Sequence, residues 1–247
     1  MTTVSTGPAV LDNAVWESLT GPHTHLAERH GLAARYPTAV AGFHALADPA
    51  DPRAWADLAE LTGGPGAGPN RGPTGGPDGE VAVAGPIPDA HPGWVVVGRV
   101  PGVQLVDVSL RTAPWPEAVR LGPADVPEIL DLVERTRPGP FRERTVELGT
   151  CLGIRRGGAL VAMAGERLHP PGWTEISAVC TDPGFRGQGL ATALVRAVAA
   201  SIRERGETPF LHTAATNRSA IRLYESIGFR LRRQTTFATY RLAGVVP

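Results

Sequence analysis

The run of strand-formers "WTEISAVCT" ends at residue 181, and a few residues on "RGQGLA" (186–191) opens the helix-forming run "TALVRAVAASIRERG". This strand–glycine loop–helix joint constrains the fold more than any other stretch of the chain. A helix that starts where a strand ends presents unpaired N–H groups and the positive end of its dipole there. Gly187 and Gly189 let a ligand approach that backbone without meeting a Cβ, and Arg186 adds a charge at the mouth. The stretch therefore reads as an anion site whose natural occupant is a pyrophosphate. The plainer alternative is a glycine-bearing turn beside a surface arginine. It is not a dinucleotide fingerprint, since the third glycine and a downstream acidic strand end are missing, and it lacks the Gly-Lys-Ser/Thr ending of a Walker loop.

Other features narrow the setting. The charges balance, with Lys+Arg 24 against Asp+Glu 24, so nothing points to a nucleic-acid or anionic-membrane partner. No lysine occurs, so the Lys+Arg total of 24 is all arginine. Cys151 and Cys180 are too few for a disulfide framework, and no His/Cys/Asp/Glu cluster has metal-ligand spacing. No basic region followed by an apolar stretch opens the chain, and no apolar run approaches membrane-spanning length. The expectation is a cytoplasmic protein without a metal, monomeric or homodimeric.

Residues 62–79, nearly all Gly, Pro and small polar residues, read as a flexible excursion, because the prolines remove the N–H donors a phosphate loop needs. Before it, "AVWESLTGPHTHLAERH" and "PRAWADLAEL" have helical patterns; after it, "EVAVAG" and "GWVVVGRV" read as strands. A Pro-containing joint at 111–118 separates this half from the rest. In the second half, "AVRL" reads as a strand and Asp125 is placed to cap the helix "VPEILDLVER". A short helical turn ends at Gly149. The strands "TCLGIRR", "ALVAMAGERL" and "WTEISAVCT" form a meander. In the helix after the joint, Leu190, Leu194, Val198 and Ile202 make one apolar stripe. A strand at "PFLHTA", a helix over "NRSAIRLYESI" closed by Gly228, and a strand pair over 229–242 complete the pattern.

These residues resemble the GNAT superfamily of N-acetyltransferases. Arg186, Gly189 and Ala191 match its Arg/Gln-x-x-Gly-x-Gly/Ala motif. Asn217, Ala220, Leu223, Tyr224, Gly228 and Phe229 match a second element, Asn-x-x-Ala-x-x-Leu-Tyr-x-x-x-Gly-Phe. The phrase "TEISAVCTDPGFRGQGL" also resembles the branch of glycine N-acyltransferase-like proteins. The resemblance covers roughly 118–245 and implies an α+β fold: a mixed, mainly antiparallel central sheet with flanking helices. Residues 118–247 would be the catalytic domain. Residues 1–112 would be a degenerate GNAT-like or other α+β half, without a second coenzyme motif.

The implied activity is acetyl transfer from acetyl-coenzyme A to the amine of a small or amino-acid-like acceptor. The alternatives are a longer acyl donor, or an acyl-coenzyme A-binding module without catalysis. In this reading Arg186, Gly187, Gln188, Gly189, Leu190 and Ala191 hold the coenzyme, with Asn217 and Tyr224 beside it. A strand bulge near Val179 would turn the backbone N–H groups of Val179, Cys180 and Thr181 toward the thioester and pantetheine. Acyl transfer needs a neutral amine, a stabilised oxyanion and a proton for the thiolate. Glu175, mid-strand in an apolar stretch, is the expected base, its pKa raised by partial burial; the plainer reading is an outward-facing carboxylate. His212 is the second choice. Tyr224 is the expected general acid, or else a packed core tyrosine. The Cys180 thiol reads as core.

Overall fold

The computed structural model describes residues 9–63, 80–84 and 91–243, so most of the Gly/Pro segment 62–79 lies outside the described residues. The first helix, α1 (Ala14–Thr20), stops at Gly21–Pro22 and does not run on to His30. Pro22 has no N–H to continue the ladder. The chain turns instead into three short strands, β1 (Glu28–His30), β2 (Ala33–Arg35) and β3 (Phe43–Leu46). Helix α2 (Pro52–Leu61) begins with a proline and an Asp51 side chain that accepts from the Arg53 N–H, and buries Ala54, Trp55, Leu58 and Leu61. It returns the chain to β4 (Val81–Ala84), parallel to β3. Strand β5 (Trp94–Asp107) is much longer than "GWVVVGRV".

In the second half come β6 (Val119–Leu121), α3 (Val126–Thr136), β7 (Cys151–Arg156), β8 (Ala159–Glu166) and β9 (Trp173–Thr181). Gly157 and Gly158, with φ of 56° and 88°, make the tight turn between β7 and β8. Then follow α4 (Leu190–Glu204), β10 (Thr208–Ala214), α5 (Arg218–Ile227) and β11 (Phe229–Leu242). Two expectations are corrected here. Asp125 does not cap α3: its carboxylate accepts from the Gly122 N–H at 2.9 Å and pairs with Arg155 at 2.7 Å. The 229–242 segment is one bulged strand rather than a pair, because β5 offers it a partner along its whole length.

Among the described residues all strands join one 11-stranded sheet in the order β1-β2-β3-β4-β11-β5-β10-β9-β8-β7-β6. It is mainly antiparallel, with parallel pairs β3/β4 and β9/β10. The halves read from the sequence therefore share one sheet, since β5 lies between β11 and β10. Pro101 is tolerated inside this central strand for a local reason. Its carbonyl faces the β10 side, accepting from Ala215, and β10 pairs only from Gly102 onward, so no ladder bond is lost there. Helix α4 packs its predicted stripe on the sheet, with Leu194, Val198 and Ile202 fully buried. Helix α3 covers the opposite face through Ile129 and Leu132.

Candidate active site

Strands β9 and β10 pair only at Trp173↔Thr208, Thr174↔Pro209 and Glu175↔Phe210, and then separate. A cleft of about 580 Å³ opens between them. The bulge that creates it is at Ala178, the only non-glycine residue besides Arg137 among the described residues with positive φ (54°). The Glu175 and Asp182 N–H groups both donate to the β8 side, to Leu168 and Val161. Strict alternation would place residues an odd number apart on opposite edges, so the strand has slipped by one residue between them. Beyond the bulge, the N–H groups of Val179 and Thr181 turn toward the cleft, while Cys180 stays paired with Met163. The Cys180 thiol packs with Leu121 and Ile129, its pKa raised by burial.

At one end of the cleft stands the N-terminus of α4. Gly189 is its cap residue, with no side-chain cap and no acidic residue in the first turn. The N–H groups of Leu190, Ala191 and Thr192 precede the first intrahelical bond, Ala193 to Gly189. Gly187 and Gly189 have φ of 78° and 75°, and a Cβ at either would meet no protein atom within 4 Å. Packing does not demand these glycines; the left-handed backbone does. Arg186 leans across the loop, its Nε donating to the Thr181 carbonyl at 3.3 Å. Of the expected loop residues, Gln188 is exposed and does not line the cleft.

Helix α5 supplies the opposite wall. Asn217 caps it, accepting from the Ala220 N–H at 3.2 Å, and also lines the cleft. Tyr224, two turns on, lines the cleft as well; burial pushes its phenol up to about 12, so it stays protonated at neutral pH. Gly228 ends the helix at φ 118°, where a Cβ would stand 2.5 Å from the Leu110 nitrogen. Only glycine fits there, and the following Phe229 packs edge-on against Tyr224.

Glu175 is fully buried and does not line the cleft. Arg167 grips its carboxylate through two hydrogen bonds, 2.6 and 2.8 Å, and His212 Nδ1 lies 2.7 Å from Oε1. Burial alone would raise this carboxyl, but Arg167 and His212 bring it down to about 2. The expectation of a raised pKa is thus overturned: burial arrived together with a cation, and the cation dominates. A carboxylate held this low is a poor proton acceptor. With Nδ1 donating to Glu175, His212 Nε2 remains an acceptor for the Gln104 amide, 3.0 Å away. Gln104 also donates to the Leu11 carbonyl and accepts from Arg232, which pairs with Asp12. Arg167 and Gln104 were not singled out in the sequence. Arg167 faces Glu175 across the β8–β9 connection, which is a weak hairpin signal; Gln104 left none.

Arg167 and His212 line the cleft and also a narrow cavity behind it, walled by Leu11, Asp12 and Phe43. Among the described residues no group of three His, Cys, Asp or Glu is placed to hold a metal ion, and no helix is long and apolar enough to cross a membrane.

Residues 151–238 match the family described as FR47-like protein. A solved GNAT-family protein from Novosphingobium aromaticivorans is 40% identical, with a TM-score of 0.82 over 96% of this chain and 100% of that one. The chain belongs to the GNAT family. Its observed fold, a mixed curled sheet flanked by helices, is the one the motifs implied. The N-alpha-acetyltransferase RimI of Mycobacterium tuberculosis is 35% identical over 38% of this GNAT chain, and the mycothiol acetyltransferase of Thermomonospora curvata 36% over 30%. The chain spans only 59% and 25% of those two relatives' lengths. The glycine N-acyltransferase-like branch has no counterpart among these matches.

Proposed function

We propose that this GNAT chain transfers an acetyl group from acetyl-coenzyme A to the amine of a small molecule, with one donor site per chain. The observation that carries the reading is the cleft between β9 and β10, which has a helix N-terminus at one end and Tyr224 and His212 along its walls. The pyrophosphate would lie on Leu190, Ala191 and Thr192 beside Arg186, and the thioester carbonyl would accept from the Val179 and Thr181 N–H groups. The amine would arrive from the cavity behind Arg167 and take the place of the Gln104 amide at His212 Nε2. His212 removes the amine proton as the N–C bond forms. Tyr224 gives its proton to the coenzyme thiolate as the C–S bond breaks.

In this scheme Glu175 is a positioning residue that holds the His212 ring and stabilises its cation, rather than the base itself. The two relatives' names differ, N-alpha-acetyltransferase and mycothiol acetyltransferase, while every donor-side residue proposed here falls within the matched stretch 151–238. The first half, through Leu11, Asp12 and Phe43, would shape the acceptor side. The narrower placement beside glycine N-acyltransferase-like proteins rests on Glu175 ahead of the coenzyme loop. The test is a panel of amines with acetyl-coenzyme A, following free thiol, beside calorimetry of coenzyme A alone. Thiol release that depends on an amine supports transfer. Saturable coenzyme binding without release from any amine favours a binding module, and no binding ends the donor reading.

A further inference from the structure

A second cavity, about 200 Å³, lies behind Phe43 and carries polar groups that the proposed reaction does not use. Arg142 reaches it from the segment after α3. That segment is stitched to residues 39–40: the Arg144 N–H donates to Ala39 O at 2.9 Å, and Thr145 Oγ1 to Val40 O at 2.7 Å. The guanidinium lies close over Gly42, where a Cβ would be 3.1 Å from Nη2. Arg142 Nε is buried without a hydrogen-bond partner, and no described carboxylate pairs with the guanidinium. His44 lines the same cavity at 5% exposure, and neither ring nitrogen makes a well-formed hydrogen bond. Burial and then Arg35 hold His44 down to about 4, against backbone contacts with Ala82 and Gly42, so the ring is neutral.

A buried donor left unmade costs about 1–3 kcal/mol, so Arg142 Nε, with the poorly satisfied His44 ring beside it, favours an occupant that accepts hydrogen bonds, a water or a ligand. The occupant must accept hydrogen bonds from the Arg142 guanidinium. Glu80 also lines the cavity without pairing with Arg142, so the wall as a whole has little net charge. That balance disfavours a phosphate dianion more than a singly charged carboxylate, whose two oxygens match the guanidinium fork. The cavity adjoins the reaction centre through Phe43. This residue lines both acceptor-side cavities, and its ring lies 5.0 Å beneath the Arg167 guanidinium.

We propose that this cavity anchors the acceptor by a carboxylate, with Arg142 binding the anion, His44 donating one N–H, and the amine extending past Phe43 to Arg167 and His212. The acceptor is then an amino carboxylate. This deepens the acetyl-transfer reading and rests on it. A length ladder tests it: glycine, β-alanine, γ-aminobutyrate and ε-aminocaproate, each beside its own amide, with aminoethylphosphonate as the phosphate-like control. Each is read by thiol release and by the shift in unfolding temperature, and coenzyme A affinity reports that each variant is folded.

In the parent protein one acid should outperform its amide and the phosphonate. Arg142→Gln should shrink that advantage by about tenfold or more, and Arg142→Lys should recover part of it. An acid no better than its amide, a preferred phosphonate, or an Arg142→Gln protein that keeps the preference would overturn the proposal. If coenzyme A binds but no amine releases thiol, the transfer reading falls separately. The ladder acids should then still raise the parent's unfolding temperature and not that of Arg142→Gln. Equal shifts in the two proteins, or none in either, would sink the subsite.

Discussion

His212 Nδ1 lies 2.7 Å from the Glu175 carboxylate, across the last residue pair that holds β9 and β10 together. The pair therefore sits at the apex of the cleft, with paired strands below it and the separated strands above. Arg167 closes the carboxylate from the other side, so one buried anion holds a guanidinium and an imidazole ring at once.

That arrangement makes Glu175 matter for stability before it matters for chemistry. Its folded pKa, about 2, is below the ordinary 4.5. A carboxyl depressed on folding contributes stability that is complete above its ordinary pKa and is lost as pH falls through the folded one. Glu175→Gln leaves Arg167 charged and buried without its anion, which costs about 3–5 kcal/mol at neutral pH. Urea unfolding of both proteins should show a gap that is full at pH 7 and narrows between about pH 4.5 and pH 2. A gap that stays constant with pH, or no gap at pH 7, would contradict this account of the pair.

His212 gives the complementary result. His212→Gln removes the proposed proton acceptor while leaving a polar side chain beside Glu175 and Gln104. Turnover should drop by roughly 10²–10⁴-fold with coenzyme A affinity almost unchanged. Retained turnover in a folded variant would move the base elsewhere.

Local signals made much of the fold legible, and through-space ones were silent. The Leu190–Ile202 stripe and the Asn217 and Gly228 boundaries of α5 are each decided within a few residues, so the sequence displays them. The slip at Ala178 was inferable only from the family, since alanine carries no preference for positive φ. Glu175 was identified, but its state was not, because Arg167 and His212 reach it through sheet pairing. Gln104 lies on β5, whose place between β10 and β11 follows from strand order, a property no single segment encodes. Asp125 fits a capping pattern, yet Arg155, brought close by the β7–β8 hairpin, competes for its carboxylate.

Arg186 separates binding from stability. Its side chain is exposed and makes a single 3.3 Å bond to Thr181 O, so Arg186→Ala should leave the unfolding temperature almost unchanged. If the pyrophosphate lies where proposed, losing this cation should weaken coenzyme A binding by about tenfold, ~1.4 kcal/mol. The same variant should bind S-acetylpantetheine, which has no pyrophosphate, as the parent does. Equal weakening of both ligands would place the pyrophosphate elsewhere. Gly189→Val mixes two effects, since a β-branched residue at φ 75° is strained in the free protein as well, and is the less clean test.

In the proposed reaction Tyr224 is the group that gives its proton to the departing thiolate. Burial holds its phenol at about 12, and no hydrogen bond to its hydroxyl is made among the described residues. The proton is therefore present at every working pH, and its transfer matters only as sulfur gathers charge. Tyr224→Phe keeps the ring that packs against Phe229, so stability should change by less than about 1 kcal/mol. Turnover with acetyl-coenzyme A should fall by about 10²-fold, and the penalty should shrink with acyl donors whose leaving thiols are more acidic and need less help. Acetyl transfer from a series of thioesters of graded thiol acidity reads this directly: the plot of rate against leaving-group pKa should be steeper for Tyr224→Phe than for the parent. Parallel lines would show that Tyr224 shapes the cleft without donating its proton, whereas His212→Gln, which acts on the amine, should leave the slope as it is.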